Sequence, residues 1–367
     1  MENTIIIGAG LTGLLLAREL VRAGCKVTVV ERGEPGREAS WAGGGILSPL
    51  HPWRYSEPVT ALAGWSQRHY AELIAGIREE SGIDPEFIQS GLLVLSDKDG
   101  DQAERWARNH HTQIQRVSAA EAKNIEPRLG RVSEGIWMPQ IAQVRNPRLV
   151  QALLKACVGL GVSLRQQCPC EELIHRGGRV LGIRTPEGDL FADSVVVAGG
   201  AWSRQILAGF GEDLNVGPVK GQMLQYRAEP GFLQRIVLAE GHYLIPRRDG
   251  LILAGSTLEH AGFDKKPTQA AREQLSRAAE ALVPALADLP VVNHWAGLRP
   301  GSPKGVPYVG PHPELENLFV SVGHFRNGVA IGPASARLLA DLMLGRPPIL
   351  DPNAYRIARS ADTTVLT

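Results

Sequence analysis

The sequence has few cysteines, and their spacing does not suit a metal site. Its 367 residues include only four cysteines, at positions 25, 157, 168 and 170. None belongs to a CxxC pair, no histidines cluster at zinc-ligand spacing, and Cys168-Pro169-Cys170 is too short to enclose a metal. We therefore expect free thiols and no metal, which is typical of a protein from a reducing compartment.

The chain also lacks an excess of either charge and lacks long apolar runs. It has 39 Lys and Arg against 38 Asp and Glu, a net charge of +1. This balance gives no electrostatic reason to expect binding to nucleic acid or to a membrane surface. No run approaches the roughly 20 apolar residues that cross a bilayer, and Gly8 and Gly10 interrupt the first run too early for a signal peptide. We expect a cytoplasmic protein; the sequence is compatible with a homo-oligomer.

The chain does have a dinucleotide-binding fingerprint in its first 31 residues. An apolar run at 5–7 leads into Gly8-Ala9-Gly10-Leu11-Thr12-Gly13, a helical segment follows, and a second apolar run ends at Glu31. Glycines in this pattern allow a tight turn, close approach of the backbone to a pyrophosphate, and close packing of helix on strand. The helix N-terminus offers free N–H groups to that pyrophosphate. Glu31 can accept hydrogen bonds from ribose hydroxyls, and its charge disfavours NADP.

The fingerprint alone leaves three interpretations open. The bound group can be NAD, or the ADP half of FAD, or the glycines can simply form turns in a buried βαβ unit. The wider pattern of the chain bears on this choice. Strand–glycine–helix patterns return at 193–203 and 318–344, whereas 217–295 is typical of antiparallel strands with one helix near 268–283.

The length and these patterns predict two domains, one of them discontinuous. The predicted class is α/β, α+β overall, with a Rossmann-type domain and a second domain built on a mixed or antiparallel sheet. The predicted nucleotide-binding domain comprises residues 1–86, 141–216 and 296–367. The predicted substrate-binding domain comprises residues 87–140 and 217–295. This interleaving favours FAD, because a flavin must reach a second domain.

Segments spread over almost the whole chain resemble those of a known family. They are GAGLTG, EASWAGGGILSP, VVVAGGAWS, YLIPR, WAGLRPG, VPYVG and GHFRNGVAIGPASA. Their order and spacing resemble the FAD-dependent amine oxidases of the D-amino-acid oxidase family, and within it most of all the glycine oxidases of bacterial thiamine biosynthesis. The resemblance implies a D-amino-acid-oxidase-like fold with FAD as cofactor. The flavin should be non-covalent, because no cysteine follows Cys170 to form the thioether of the sarcosine oxidase type.

The fingerprint and the resemblance together imply a set of cofactor-binding residues. In the family, the small residues around 43–45 let backbone lie against the flavin, Ser40 can bind a phosphate, and amides of the helix after Asn327 face the flavin pyrimidine. The alternatives are a flexible glycine loop and an ordinary strand–turn–helix. The implied residues are Gly8, Gly10, Leu11, Thr12, Gly13, Glu31, Arg32, Ser40, Ala42, Gly43, Gly44, Gly45, Ile46, Cys170, Gly199, Gly200, Trp202, His324, Arg326, Asn327, Gly328, Val329 and Ala330.

Three residues are expected to hold the substrate. Arg299 matches the carboxylate-binding arginine of the family, and its planar fork suits bidentate binding. Tyr243 matches a tyrosine that donates to the same carboxylate, and Arg326 matches an arginine near the pocket. We set His242 and His324 aside as bases, because the family chemistry requires no side-chain base.

The resemblance implies oxidation of glycine and other small primary or secondary amines by hydride transfer to flavin N5. Oxygen accepts the electrons, and the products are the imine or glyoxylate, ammonia and hydrogen peroxide. The glycine imine would serve the thiazole of thiamine. A sarcosine oxidase, or a D-amino-acid oxidase or dehydrogenase, is the closest alternative. A non-catalytic flavin-binding subunit is an alternative of another class, and an NAD-dependent dehydrogenase is a third.

Overall fold

The computed structural model describes residues 2–96, 98–131, 133–208 and 214–357. In this part of the chain the strands are β1 Asn3–Ile7, β2 Lys26–Val30, β3 Leu92–Leu95, β4 Gln115–Val117, β5 Gly135–Met138, β6 Ser163–Arg165, β7 Glu172–Arg176, β8 Arg179–Thr185, β9 Gly188–Phe191, β10 Ser194–Val197, β11 Gly217–Arg227, β12 Ile236–Ala239, β13 His242–Pro246, β14 Leu251–Gly255, β15 Val291–Gly301, β16 Tyr308–Pro311 and β17 Leu318–Val322. The α-helices are α1 Leu11–Arg22, α2 Ala39–Ala42, α3 Glu57–Ser81, α4 Gly100–Asn109, α5 Ala119–Ile125, α6 Asn146–Gly159, α7 Ser203–Ile206, α8 Gln269–Leu282 and α9 Gly328–Met343.

A six-stranded sheet carries the fingerprint. Its order is β16-β17-β10-β1-β2-β6, and it is parallel except for the edge strand β16. Its central strands β1 and β10 are apolar runs buried on both faces, which is the pattern of a parallel sheet covered by helices. The predicted parallel strand at 193–200 is confirmed. The helix predicted after it is only the four-residue α7.

A second sheet of eight strands provides the other wall of the site. Its order is β15-β11-β14-β13-β12-β3-β5-β4. Most of its pairs are antiparallel, but β12 runs parallel to β3, so of the predicted alternatives, mixed or antiparallel, the sheet is mixed. The helix predicted near 268–283 is α8, which begins after the capping residue Thr268. Strands β4, β5 and β12 were not predicted, because three or four residues carry too little periodicity.

Strand pairing bears on the predicted domain boundaries. β15 pairs with β11 over its whole length, so residues 296–301 belong to the eight-stranded sheet. The boundary predicted at 296 therefore falls inside a strand. Residues 209–213 and 358–367 of the predicted nucleotide-binding domain lie outside the described residues. The division into domains as a whole stays a prediction.

The long helix α3 supports α9, whose N-terminus borders the site. The hydroxyl of the buried Tyr70 donates to the carbonyl of Val329, at 2.9 Å, and the amide of Ala334 donates to the hydroxyl of Ser66, at 3.1 Å. Burial raises the pKa of Tyr70, which therefore stays a neutral donor. The first two turns of α9 are thus fixed from outside the sheet. Among the described residues, no helix is both long enough and apolar enough to span a membrane.

Candidate functional site

A cavity of about 370 Å³ lies between the two large sheets. One wall is formed by the turns that follow β1, β2, β10 and β17, at the carboxyl edge of the parallel strands, where ligands of open α/β sheets bind. The opposite wall comes from β13, β15 and the residue after β14. The topology therefore brings chain segments more than 300 residues apart to one cavity, as from Gly8 to Val329.

The glycines of the fingerprint are required by close backbone contacts. Gly8 has φ of 114°, and a Cβ there would lie 2.5 Å from the carbonyl oxygen of Ala198. A Cβ on Gly13 would lie 2.0 Å from the carbonyl oxygen of Gly8. Gly13 thus packs helix α1 onto the turn and does not line the cavity, whereas Gly8 and Gly10 do. This cradle is what a pyrophosphate needs to approach the start of α1.

The Glu31 carboxylate is held at the cavity by two backbone amides. Its Oε2 accepts a hydrogen bond from the amide of Ala9 at 2.9 Å, and its Oε1 accepts one from the amide of Gly33 at 3.0 Å. A carboxylate offers about four acceptor positions, so the two ribose hydroxyls can still donate to it. Ser40 Oγ accepts from the amide of Leu11 at 2.8 Å. That contact occupies one N–H of the α1 terminus and leaves the Ser40 hydroxyl proton free to point at a phosphate.

The loop at 43–45 presents backbone to the cavity and is closely packed behind. A Cβ on Gly45, where φ is 78°, would lie 2.0 Å from the carbonyl oxygen of Val144. A Cβ on Gly44 would lie 2.7 Å from Cδ1 of Ile245. A packed loop excludes the flexible alternative. The neighbouring Ala42 points away from the cavity, because its carbonyl accepts from Nε1 of Trp295 at 3.1 Å and its Cβ faces Gly297.

The start of α9 borders the cavity and has buried polar side chains beside it. Gly328, Val329 and Ala330 line the cavity, and the first turn contains no acidic residue. Beside them, Nε2 of His324 and Nδ2 of Asn327 are buried and find no hydrogen-bond partner among the described residues. Burial lowers the pKa of His324 to about 4, so its ring is neutral at physiological pH. Buried donors and acceptors of this kind suit a polar heterocycle such as a flavin.

Arg299 and Tyr243 meet on the wall of the eight-stranded sheet. Arg299 Nη2 donates to the hydroxyl of Ser256 at 2.7 Å, and its Nη1 donates to the carbonyl of Thr257 at 3.1 Å. The hydroxyl of Tyr243 donates to Sδ of Met223 at 3.3 Å, a weak acceptor that a carboxylate can replace. Burial lowers the pKa of Arg299, and the neighbouring charge of Arg326 lowers it further, whereas Tyr243 raises it.

Sequence reasoning missed two residues that shape this wall. Ser256 follows β14, and Gly221 lies on β11 opposite Gly297. A Cβ on Gly221 would lie 2.2 Å from both Nη atoms of Arg299, so only glycine leaves room for the guanidinium. No motif marks either residue. Only the pairing of β11 with β14 and β15 brings them to Arg299.

The remaining predicted residues also line the cavity, apart from Gly13 and Ala42. At the mouth, the guanidinium of Arg32 stacks over the ring of Trp202 at 3.5 Å and pairs with Glu38 at 3.0 Å. The other lining residues on the predicted list are Thr12, Gly43, Ile46, Cys170, Gly199, Gly200 and Arg326. No group of three or more His, Cys, Asp or Glu in the described part of the chain is arranged to hold a metal ion.

Comparison with known proteins agrees with this geometry. The family model described as DAO, FAD dependent oxidoreductase, matches residues 3–342. The chain belongs to this family. The cofactor of this DAO-family chain is therefore FAD, which decides between the two dinucleotides that the fingerprint left open.

Relatives of this DAO-family chain narrow the resemblance. It is 51% identical to a glycine oxidase of Pseudomonas aeruginosa over 356 residues, which cover 96% of this chain and 98% of that protein. It is 33% identical to the bifunctional protein ThiO/ThiG of Trichormus variabilis, over 99% of this chain and 56% of that protein. The crystal structure of glycine oxidase from Geobacillus kaustophilus superposes with a TM-score of 0.93 at 30% identity, covering 98% of this chain and 99% of that one. The predicted resemblance and fold are confirmed.

The residues present fit FAD. The glycine cradle at Gly8 admits a pyrophosphate, the Glu31 carboxylate has acceptor positions left for a ribose, and His324 and Asn327 bring unpartnered polar atoms to the far end. The described residues at all three places face one cavity. The assignment of single residues to parts of the cofactor stays a prediction.

Proposed function

We propose that this enzyme oxidises glycine and other small primary or secondary amines. The observation that carries the proposal is the meeting of Arg299 and Tyr243 on the cavity wall opposite the start of α9. An arginine with a tyrosine donor beside it suits a carboxylate, because the planar fork of arginine binds both carboxylate oxygens. The names of the full-length relatives, glycine oxidases at up to 51% identity, support glycine as the amino acid.

In this proposal Arg299 and Tyr243 set the orientation of the substrate. Arg299 is already held by Ser256 and Thr257, so its fork is pre-organised and loses little side-chain entropy on binding. The substrate carboxylate replaces Met223 as the acceptor of the Tyr243 hydroxyl. With the carboxylate fixed, the α-carbon points to the opposite wall, and this orientation supplies a large part of the catalysis.

FAD, when bound, would accept the hydride and pass the two electrons on to oxygen. Glycine loses a hydride from its α-carbon and a proton from its nitrogen, and becomes the imine. Water then converts the imine to glyoxylate and ammonia, while oxygen takes up two electrons and two protons and becomes hydrogen peroxide. The amides of Gly328, Val329 and Ala330 stabilise negative charge at the cavity, because a helix N-terminus carries a partial positive charge.

His324, which lines the cavity, is not needed as a base. His324 is neutral, since its pKa is about 4, but its Nε2 is enclosed in the protein beside α9. The amine can reach the cavity unprotonated, and the wall groups Arg299 and Tyr243 contact the carboxylate rather than the nitrogen. We therefore assign His324 no part in proton transfer.

An anaerobic titration of the flavin absorbance tests the substrate. The purified protein is mixed with glycine, sarcosine, D-alanine and D-proline in turn, and peroxide release is then measured in air. We expect bleaching and peroxide with glycine. Bleaching by D-proline or sarcosine but not by glycine would instead identify the related D-amino-acid or sarcosine oxidases. A yellow protein that none of the amines bleaches would support the non-catalytic flavin subunit.

We further propose that the glycine imine serves thiazole formation in thiamine biosynthesis. The likeness of the whole chain to part of the ThiO/ThiG protein supports this role. A bacterial strain that lacks its own glycine oxidase and needs added thiazole should grow without it when it expresses this chain. The Arg299→Ala variant is the control and should not restore growth. The cytoplasmic location and any homo-oligomer stay predictions.

A further inference from the structure

Arg247 is a buried arginine to which the site described above gives no role. It ends the segment Tyr-Leu-Ile-Pro-Arg, directly follows β13, and only 6% of its surface is exposed. Burial, together with the neighbouring charge of Arg145, lowers the pKa of Arg247 to about 10, so the guanidinium is still protonated at neutral pH. A buried charge persists only where its N–H groups are bonded.

The Arg247 guanidinium joins the end of β13 to two other parts of the chain. Its Nη2 donates to the carbonyl of Gly44 at 2.7 Å. Its Nη1 donates to Oε1 of Gln143 at 2.6 Å and to the carbonyl of Val144 at 3.0 Å. These acceptors are neutral oxygens, and hydrogen bonds from a charged donor are about twice as strong as neutral ones. The bond to Gly44 is therefore a firm attachment of the 43–45 loop.

Three alternate residues along one face of β13 and its end lie against the 43–45 loop. Side chains alternate along a strand, so Tyr243, Ile245 and Arg247 point to one side. A Cβ on Gly44 would lie 2.7 Å from Cδ1 of Ile245 and 3.3 Å from Cε2 of Tyr243. Gly44 thus lies along this face, with its carbonyl bound by Arg247 and its Cα against the other two side chains.

We propose that Arg247 is a positioning residue that fixes Gly44, and with it the 43–45 loop, against the strand that carries Tyr243. Arg247 itself is outside the set of described residues that line the cavity, so it acts through Gly44, which does line it. The loop and Tyr243 then move as one unit. The position of the cofactor against the loop thereby also sets the distance from the cofactor to the substrate carboxylate. This inference rests on the proposed function.

The first test removes the guanidinium of Arg247 and compares this variant with the same substitution at Arg18, another buried arginine. Arg247→Met should raise the Kd for FAD by up to about a hundredfold, because the charge-assisted hydrogen bond that it removes acts on FAD only through the position of the loop. It should also raise the KM for glycine and shift the visible flavin spectrum. Arg247→Lys keeps the charge but not the fork, and should recover part of each effect.

The control is Arg18→Met, because Arg18 is also 6% exposed but pairs with Glu80 away from the cavity. It should lower the melting temperature and leave the Kd for FAD and the flavin spectrum unchanged. An Arg247→Met protein with wild-type Kd, spectrum and KM would overturn the inference. So would equal changes in Kd and spectrum in both methionine variants, because Arg247 would then act only on general stability.

A second test keeps Arg247 and remains decisive if Arg247→Met does not fold. Gly44→Ala places a methyl against Cδ1 of Ile245 and should push the loop off β13, which weakens FAD binding and raises the KM for glycine. Ile245→Val removes that Cδ1 atom, so the double variant should recover most of the loss. Wild-type behaviour of Gly44→Ala, or no recovery in the double variant, would contradict the inference.

Failure of the inference differs from failure of the proposed function. If the wild-type protein binds FAD but is not reduced by glycine, the proposed function is wrong. The FAD affinity and spectrum of the variants still test the loop attachment in that case. If the wild-type protein oxidises glycine and the variants match it, only the role of Arg247 is refuted.

Discussion

Gly221→Ala is a conservative change outside the cavity that should nevertheless damage substrate binding. The added Cβ would lie 2.2 Å from Nη1 and Nη2 of Arg299 and 2.4 Å from its Cζ, whereas ordinary contact begins at 3.4 Å. The guanidinium must therefore move by roughly 1 Å, enough to break its 2.7 Å bond to Ser256. The end of an arginine side chain moves easily, so the fold should tolerate the change.

The expected result is a loss of kcat/KM for glycine with little change elsewhere. A displacement of about 1 Å in a positioning group can cost up to about a hundredfold in rate, so we expect a fall of about tenfold to a hundredfold. Peroxide release and anaerobic flavin reduction measure it. The melting temperature and the FAD affinity should stay near the wild-type values, because the three atoms nearest to the added methyl all belong to the Arg299 guanidinium.

Gly217→Ala is the matched control on the same strand. A Cβ at Gly217 meets nothing within 4 Å in the described structure, so this variant should keep wild-type kinetics. If Gly221→Ala also keeps wild-type kcat/KM, the position of Arg299 does not control substrate binding and the reasoning fails. A similar loss in both variants would point to the strand rather than to the guanidinium.

Three further predictions concern the cofactor, the substrate and pH. Gly8→Ala should abolish FAD binding, because φ of 114° and a contact of 2.5 Å with the Ala198 carbonyl cannot be relieved without moving backbone. The flavin absorbance of the protein after desalting measures FAD binding, and retained FAD would contradict the prediction. Tyr243→Phe should raise the KM for glycine by about tenfold with a smaller effect on kcat, as steady-state kinetics would show, because a hydrogen bond to a charged group is lost. Burial lowers the pKa of His324 from 6.5 to about 4, so the unfolded state binds the proton first and the free energy of unfolding should fall as pH drops through that window. Denaturant unfolding at pH 7 and pH 5 should show a smaller fall for His324→Gln, and an identical fall would refute the assignment.

Much of the nucleotide-binding half could be predicted because its signals are local. The glycine pattern, the buried apolar strands and the acid at the end of β2 lie within 31 residues, and each follows from backbone conformation and hydrophobic periodicity. Their order predicts a βαβ unit wherever the rest of the chain goes. The return of strand–glycine–helix patterns at 193–203 and 318–344 predicted that distant segments complete the same sheet.

The residues proposed to bind the substrate, and those that position them, could be predicted only in part. Arg299 and Tyr243 could be named from segments that resemble a family, but the sequence did not show that the two side chains lie close together on one wall of the cavity. Gly221 and Ser256 carried no recognised signal, and Arg247, although it ends the recognised segment YLIPR, was given no role. Each acts on a neighbour from another strand, and strand register between positions far apart in sequence depends on the whole sheet.

By itself, then, the sequence predicted a dinucleotide-binding βαβ unit with a glycine turn, a helix N-terminus and Glu31 at its edge. It did so because turns and caps depend on a few consecutive residues. The tertiary structure alone decided that β11 leaves a gap for Arg299 and that β13 holds Gly44 through Arg247. These contacts join residues up to 203 positions apart, and only the packed sheets bring such residues to within hydrogen-bond distance.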